Sequence, residues 1–175
     1  MKCNIIGSGN SLRNFDVNSL EGYNICLNHT YKHVDRVDMT VFFDNIEEFK
    51  SAPNPQYLKI FGGQWVNRDG RLNLKEGMVA NLNATFLMAL NIAIQKGFTE
   101  IHCYGMDNRL TGEHVHWYSD YKHSPEDRMK YAGHFNRINR FLGEWKDSLK
   151  NYKIYMYDSK IKHFINRNLN DGTTD

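Results

Sequence analysis

The sequence predicts an α/β fold in which a mostly parallel sheet forms the middle layer of a single domain. Short, mostly apolar runs recur along the chain, and small or polar residues directly follow each run. Such runs are typical of strands buried on both faces, as in a parallel sheet. Helical segments separate several of the runs, and this alternation favours parallel pairing. We therefore expect a single-domain, Rossmann-like three-layer sandwich.

Six strands and two helices make up this prediction. The first helix, over residues 83–96, is apolar on most sides and ends at Gly97, which indicates a largely buried helix. The second, over residues 125–150, repeats apolar side chains at helical spacing. The polar, glycine-bearing residues 64–77 are predicted to form a mobile loop over one edge. The predicted strands are residues 3–6, 24–27, 39–43, 57–61, 100–104 and 153–157.

The composition is that of one soluble globular domain. Its 175 residues suit a single unit, which we place at 1–168 with a flexible polar tail at 169–175. The net charge of +2 is too small to indicate a nucleic-acid-binding face, although it allows a local basic pocket. No apolar run approaches the roughly 20 residues of a transmembrane segment, and the N-terminus does not resemble a signal peptide. A cytoplasmic location is expected.

The three cysteines, Cys3, Cys26 and Cys103, lie within predicted strands and form no pair at short spacing. An odd number argues against a disulfide framework, so we expect buried, reduced thiols. Reduced thiols fit a cytoplasmic protein.

The loop after the first strand, residues 7–11, is the sharpest candidate for a ligand site. In open α/β sheets, ligands bind beyond the carboxyl ends of the strands. Gly7 and Gly9 permit positive φ and close backbone approach, and backbone N–H groups in such a turn can hold a phosphate. Ser8, Asn10 and Ser11 add side-chain donors. The loop has neither the third glycine of the dinucleotide fingerprint nor the lysine of a P-loop, so a purely structural turn remains the alternative.

Other polar residues follow later strands, and each has two interpretations. Asn28, Asp44 and Asn45 either bond a ribose or base, or cap the helical segments that follow them. Asp107, after Gly105, either holds a ribose or a metal, or caps a helix.

Histidines and tyrosines are the candidates for proton transfer. His114 and His116 would face one side of an extended segment, but no further ligand stands at zinc-like spacing, so surface or pocket histidines are favoured. Tyr118 and Tyr121 either donate protons and stack on a substrate, or pack a loop on the sheet edge. His134 falls near the start of the second predicted helix, where the helix dipole favours a neutral imidazole. Its spacing alone is that of an ordinary helical histidine.

Several of these segments together resemble a known group of proteins. Residues 5–12, 26–31 and 41–45 are similar to its first, second and third strand-end motifs, and residues 83–107 look like its small-residue helix followed by Gly-x-Asp. Residues 131–134, the helix after them and residues 152–157 resemble its closing section. The group comprises small bacterial sialyltransferases that use CMP-sialic acid and the related pterin pyrophosphokinase-like proteins, often described only as a domain of unknown function.

The resemblance implies a glycosyltransferase with a type A-like fold and a nucleotide-sugar donor, with a CMP-type donor favoured. It implies that Gly9, Asn10, Ser11 and Asn28 hold the nucleotide and that His134 is the general base that deprotonates an acceptor hydroxyl. Tyr118 and Tyr121 would assist the phosphate leaving group, and no metal is expected. The full set expected to bind the nucleotide is Gly7, Ser8, Gly9, Asn10, Ser11, Asn28, Asp44, Asn45, Asn83, Gly105 and Asp107.

Two departures from the group keep other functions open. Asp44 puts a carboxylate where the sugar transferases have an amide, and the chain is shorter than a typical sialyltransferase. A magnesium-dependent pyrophosphokinase or phosphoryl transferase, with Asp44 and Asp107 as metal ligands, is one alternative. A non-catalytic module that binds or sequesters a nucleotide is another. The acceptor stays open between a glycan, a small metabolite and a modified nucleobase, and so does a homo-oligomer.

Overall fold

A computed structural model of the chain describes residues 2–42, 46–54, 66–67, 72–74, 79–80, 84–110 and 113–170. These contain eight strands, two α-helices and four short 3-10 helices. The strands are β1 (Lys2–Ile6), β2 (Tyr23–Leu27), β3 (Met39–Val41), β4 (Val66–Asn67), β5 (Val79–Ala80), β6 (Glu100–Tyr104), β7 (Lys153–Tyr157) and β8 (Ile165–Arg167). The α-helices are α1 (Thr85–Gln95) and α2 (Pro125–Trp145), and the 3-10 helices are Asn10–Asn14, Val17–Ser19, Asn28–His33 and Ile46–Phe49.

Six strands form one sheet in the order β3-β2-β1-β6-β7-β8, and every pair in it is parallel. From the centre of the sheet, β1, β2 and β3 follow one another toward one edge, and β6, β7 and β8 follow one another toward the other edge. This is the doubly wound, Rossmann-like arrangement, so the predicted fold class is confirmed. The order reverses between β1 and β6, so the chain continues from these two strands toward opposite edges of the sheet. Strands β4 and β5 form a separate parallel pair.

The sheet separates two apolar clusters, because successive residues of each strand point to opposite faces. Ile5, Ile25 and Cys103 belong to the larger cluster, which also contains the apolar side chains of both α-helices. Ile6 and Tyr104, one position along, belong to the smaller cluster, which is covered by the 3-10 helices before β2. The third layer is therefore made of 3-10 helices and loops in the part of the chain that the structure describes.

Most of the predicted elements are present, with small changes at their ends. Helix α2 ends at Trp145, before the predicted limit of residue 150, and its start is fixed by a capping box between Ser124 and Asp127. The predicted strand over residues 57–61 lies outside the described residues. Strand β8 was not predicted, since three largely exposed residues at a sheet edge carry no apolar run.

Three further expectations bear on the whole chain. Cys3, Cys26 and Cys103 are free and buried, as predicted. The described end of the predicted flexible tail is attached to the domain, because the Leu169 N–H donates to the Asp158 carboxylate at 3.3 Å. None of the described helices combines the length and the apolar character that crossing a bilayer requires.

Candidate functional site

A cleft of about 590 Å³ opens beyond the carboxyl ends of β1, β2 and β6, at the point where the strand order reverses. Open α/β sheets bind their ligands in this crevice. The cleft combines an apolar part with polar and cationic side chains, which suits a ligand with an aromatic ring and an anionic group. Its lining includes Ser8, Gly9, Asn10, Leu27, Asn28, Thr85, Phe86, Gly105, Met106, Asp107, Arg109, His114, His116, Lys130, Tyr131, Gly133, His134, Arg137 and Ile138.

The loop after β1 is locked onto the loop after β6. The backbone N–H of Gly7 donates to the Tyr104 carbonyl at 2.8 Å, and that of Gly9 donates to the Gly105 carbonyl at 2.9 Å. The N–H of Leu12 donates within its own turn, to the Gly9 carbonyl at 3.2 Å. These donors are therefore already used inside the protein. The N–H groups of Gly7 and Gly9 are therefore not free to cradle a phosphate, which the sequence analysis expected of this loop.

The glycines of this region are explained by close packing of the two loops. A Cβ added to Gly7 would lie 1.6 Å from Met106 Cε, and one added to Gly9 would lie 2.4 Å from Asp107 Oδ1. Gly9 has φ of −59°, so it does not use the left-handed region. Gly105 does, with φ of +65°, and its α-carbon faces the Gly7 carbonyl. Gly7 and Gly9 thus allow the two loops to pack closely, and neither of them adopts a positive φ.

Asp107 and Ser11 form a hydrogen-bonded brace between the same two loops. The Asp107 carboxylate accepts hydrogen bonds from the Ser11 N–H, at 3.0 Å, and from the Ser11 hydroxyl, and Asp107 is only 3% exposed. Asp107 therefore caps the 3-10 helix Asn10–Asn14, which was one of its two interpretations. Ser11 and Gly7 are not part of the cleft lining, whereas Ser8, Gly9 and Asn10 are.

The other residues expected to bind the nucleotide divide into two groups. Asn28 lines the cleft with φ of +50°, and its side-chain oxygen accepts a hydrogen bond from the Thr85 hydroxyl at 3.4 Å. Gly105 and Asp107 also line it. Asp44, Asn45 and Asn83 lie outside the described residues.

Three exposed cations, Arg109, Lys130 and Arg137, line the cleft. Within the described part of the chain, none of them has a carboxylate oxygen within 4.0 Å. The one carboxylate of the described lining is Asp107, and it is bonded to Ser11. The cleft thus carries an excess of positive charge, although the whole chain is nearly neutral. Lys130 lies four residues before His134, and Arg137 lies three residues after it. Residues at these spacings share one face of a helix, so both cations could have been predicted from the sequence as neighbours of His134.

His134 and His116 line the cleft and are both held toward the neutral form. Burial lowers the pKa of His134 below its ordinary value of 6.5, and the charges of Arg137 and Lys130 lower this pKa further. Burial also lowers the pKa of His116, against an opposing hydrogen bond to the backbone of Ser8. Two neutral imidazoles therefore face a positively charged cleft.

The position of His134 in its helix differs from the expectation. It lies in the middle of α2, not near its start, and the helix dipole acts only on the first and last turns. The dipole explanation for its neutral form is therefore wrong, and burial with neighbouring cations replaces it. Ile138, four residues later, is buried against the sheet.

The two predicted tyrosines do not line the cleft. Tyr118 stacks on His33 with the ring centroids 4.4 Å apart, and Tyr121 is 59% exposed with its hydroxyl 3.2 Å from an Asp127 carboxylate oxygen. Tyr131, which the sequence analysis did not single out, lines the cleft on the same helix as His134.

Residues 113–123 turn back on themselves as a hairpin that forms one wall of the cleft. Its Trp117 N–H donates to the Ser8 carbonyl at 3.2 Å, and the Trp117 indole N–H donates to the Gly7 carbonyl at 3.1 Å. The carbonyls of the first loop therefore hold the hairpin in place. This attachment positions His114 and His116 in the lining.

Several polar side-chain atoms in the cleft wall have no hydrogen-bond partner in the described part of the protein. They are both amide atoms of Asn108, Nδ1 of His116 and both ring nitrogens of His123. Buried polar groups are nearly always paired in folded proteins. Their concentration here makes this wall the part of the described molecule where a ligand would gain most by hydrogen bonding.

Among the described residues, no group of three or more histidine, cysteine or acidic side chains is placed to hold a metal ion. Comparisons with protein-family models, with curated proteins and with solved structures found no match to this chain.

Proposed function

We propose that the protein is a transferase that binds a nucleotide-sugar, with a CMP-type donor favoured, and transfers the sugar to an acceptor hydroxyl. The observation that carries the proposal is the cleft at the strand-order reversal, lined by two histidines held toward the neutral form and by three cations that have no acidic partner among the described residues. The resemblance of several segments to small sialyltransferases supports the same reaction.

The donor would be held mainly by side chains. Leu27, Phe86 and Ile138 supply apolar surface for the nucleoside, and Arg109 and Arg137 supply charge for its phosphate. Guanidinium groups bind phosphate through two parallel hydrogen bonds, so they can replace the backbone donors that the interlocked loops have already used. This arrangement differs from a glycine-rich phosphate loop, in which the backbone itself carries the anion.

His134 is the base in this proposal. Its imidazole accepts the proton of the acceptor hydroxyl while that oxygen forms a bond to the anomeric carbon of the sugar. The bond from this carbon to the phosphate oxygen breaks, and the electron pair leaves with the nucleotide. Lys130 and Arg137 stabilise the negative charge of the departing phosphate. Burial raises the pKa of Tyr131, so its protonated hydroxyl can donate to the same phosphate.

His116 is the rival base, since it lines the same cleft and its pKa is also lowered. The two are separated by His134→Gln and His116→Gln. We expect His134→Gln to reduce turnover about 100-fold or more with donor affinity nearly unchanged. The exposed His163 serves as the matched control, because it does not line the cleft. Normal turnover in His134→Gln together with a large loss of turnover in His116→Gln would identify His116, and not His134, as the base.

Nucleotide binding is tested by calorimetric titration with CMP, UDP, GDP, ADP and their sugar conjugates, with and without Mg²⁺. We expect CMP to bind without added metal and Arg137→Gln to weaken it about tenfold, the lower end for a hydrogen bond to a charged group. Arg128→Gln is the matched control, because Arg128 is exposed on the same helix outside the cleft lining. Equal affinities in the two variants would contradict the proposed anion site.

The same titration distinguishes the alternative functions. Binding of ADP only with Mg²⁺ would indicate the pyrophosphokinase or phosphoryl transferase, whose metal would involve Asp44. Tight binding of CMP without turnover of any CMP-sugar would indicate the non-catalytic module.

A further inference from the structure

A second, smaller niche lies beyond the carboxyl ends of β7 and β8. Its volume is about 230 Å³, and Arg109 lines both this niche and the cleft. The two sites are therefore neighbours on the same edge of the sheet, with one guanidinium between them. The niche is lined by Arg109, Asp158, Ser159, Lys160, Asn166, Arg167 and Asn168.

The backbone around the niche is firmly held. The Asp158 N–H donates to the Arg167 carbonyl at 2.9 Å, and the Lys160 N–H donates to the Asp107 carbonyl at 2.8 Å. The Asn166 amide donates to the Ile161 carbonyl at 2.6 Å. These bonds tie the loop after β7 both to the edge strand and to the loop that borders the cleft. The protein's own hydrogen bonds therefore define the shape of the niche.

The charge of the niche is predominantly positive. Arg109, Lys160 and Arg167 bring three cations, and none of the three has a carboxylate oxygen within 4.0 Å in the described ranges. The single carboxylate, Asp158, accepts the Leu169 N–H at 3.3 Å. Arg167 lies over the Tyr155 ring at 4.3 Å, which orients its guanidinium while its charge stays unneutralised.

We propose that this niche binds an oxyanion group, a phosphate or a carboxylate, carried by the acceptor. The inference rests on the proposed function, which places the donor in the adjoining cleft. Arg109, Lys160 and Arg167 supply the positive charge that an oxyanion requires, and a guanidinium can bind such a group through two parallel hydrogen bonds, so Arg109 then contacts both substrates. An anionic acceptor held here presents its hydroxyl toward the cleft. Neutral acceptors of the same size gain nothing from the niche.

The test uses amide NMR of the full chain, with inorganic phosphate and acetate as separate probes, before and after saturation with CMP. We expect phosphate or acetate to shift the amides of Ser159, Lys160 and Arg167 in the CMP-saturated protein. Lys160→Gln and Arg167→Lys should each weaken this binding at least threefold. Arg167→Lys keeps the charge and removes only the planar fork. Lys150→Gln, on an exposed lysine outside both sites, is the control.

The outcomes separate the two proposals. Shifts around residues 158–167 that Lys160→Gln weakens support the niche, and the probe that produces them tells phosphate from carboxylate. Shifts that are confined to the cleft, or that are equal in all variants, overturn it. CMP binding is read independently from the amides of Asn10 and Asn28. If CMP does not bind, the donor site is refuted, and the niche is then judged from the anion shifts recorded without CMP.

Discussion

Replacement of Gly133 should stabilise the fold and impair ligand binding at the same time. Gly133 lies in the interior of α2, next to His134, and lines the cleft. An added Cβ there would meet no atom within 4 Å. Glycine in a helix interior costs about 1 kcal/mol relative to alanine, so Gly133→Ala should raise the free energy of unfolding by about that amount. For a chain of this size, this corresponds to roughly 2–4 °C in Tm.

The stability gain has a matched control in the same helix. Gly143 lies outside the cleft lining, and a Cβ there would lie 3.4 Å from the His163 ring. Gly143→Ala should therefore give a similar or slightly smaller gain, measured by urea unfolding, with no effect on ligand binding. Both variants keep helical backbone geometry, so a difference between them in binding comes from the cleft.

The binding effect should grow with side-chain size. Gly133→Ala adds one methyl group beside the proposed base, and Gly133→Leu adds a branched chain that projects into the same space. We expect donor or acceptor affinity to fall at least tenfold in Gly133→Leu, about 1.4 kcal/mol, with the fold retained. If titration and steady-state kinetics of Gly133→Leu match those of the wild type, the reacting groups do not meet beside His134. Destabilisation by Gly133→Ala would refute the stability argument.

Two further predictions concern the stability of the fold. Asp107→Ala removes both hydrogen bonds from Ser11 to a charged carboxylate and leaves two half-buried donors unpaired, so urea unfolding should show a loss of about 3–5 kcal/mol. A loss below about 1 kcal/mol would contradict the brace. Burial lowers the pKa of His102, His116 and His134 in the folded chain. The unfolded chain then binds more protons, so the free energy of unfolding should fall as pH decreases from about 7.5 through the ordinary histidine value near 6.5 to about 5.5. His116→Gln should reduce that slope, and a flat profile would show that these histidines titrate normally.

Much of the architecture was predictable because it depends on local pattern. Apolar runs of strand length followed by Gly7, Asn28 or Gly105 indicate buried parallel strands, and parallel strands bring their carboxyl ends to one edge. The helix around His134 was predictable from its apolar spacing. The edge of the sheet at which the cleft opens was therefore predictable from the sequence, whereas the side chains that meet in the cleft depend on how distant elements pack.

The glycines show where local pattern misleads. Gly-Ser-Gly after a first strand is compatible with a phosphate loop or with a tight turn, and the two have the same sequence. The contact of this loop with the loop after β6 accounts for both glycines and takes up the N–H groups of Gly7 and Gly9, through the carbonyls of Tyr104 and Gly105 almost one hundred residues away in sequence. Such a pairing depends on strand order, which no local signal encodes.

The sequence by itself determined the α/β class, the main strands, the buried thiols and the edge of the sheet at which the cleft opens. Only the tertiary structure decided which side chains meet there. It brought Arg109 from one loop into the same cleft as Lys130 and Arg137 from a helix, and it placed Tyr118 outside the lining. The physical reason is that hydrophobic periodicity fixes which face of each element is buried, whereas the meeting of charges depends on how distant elements pack.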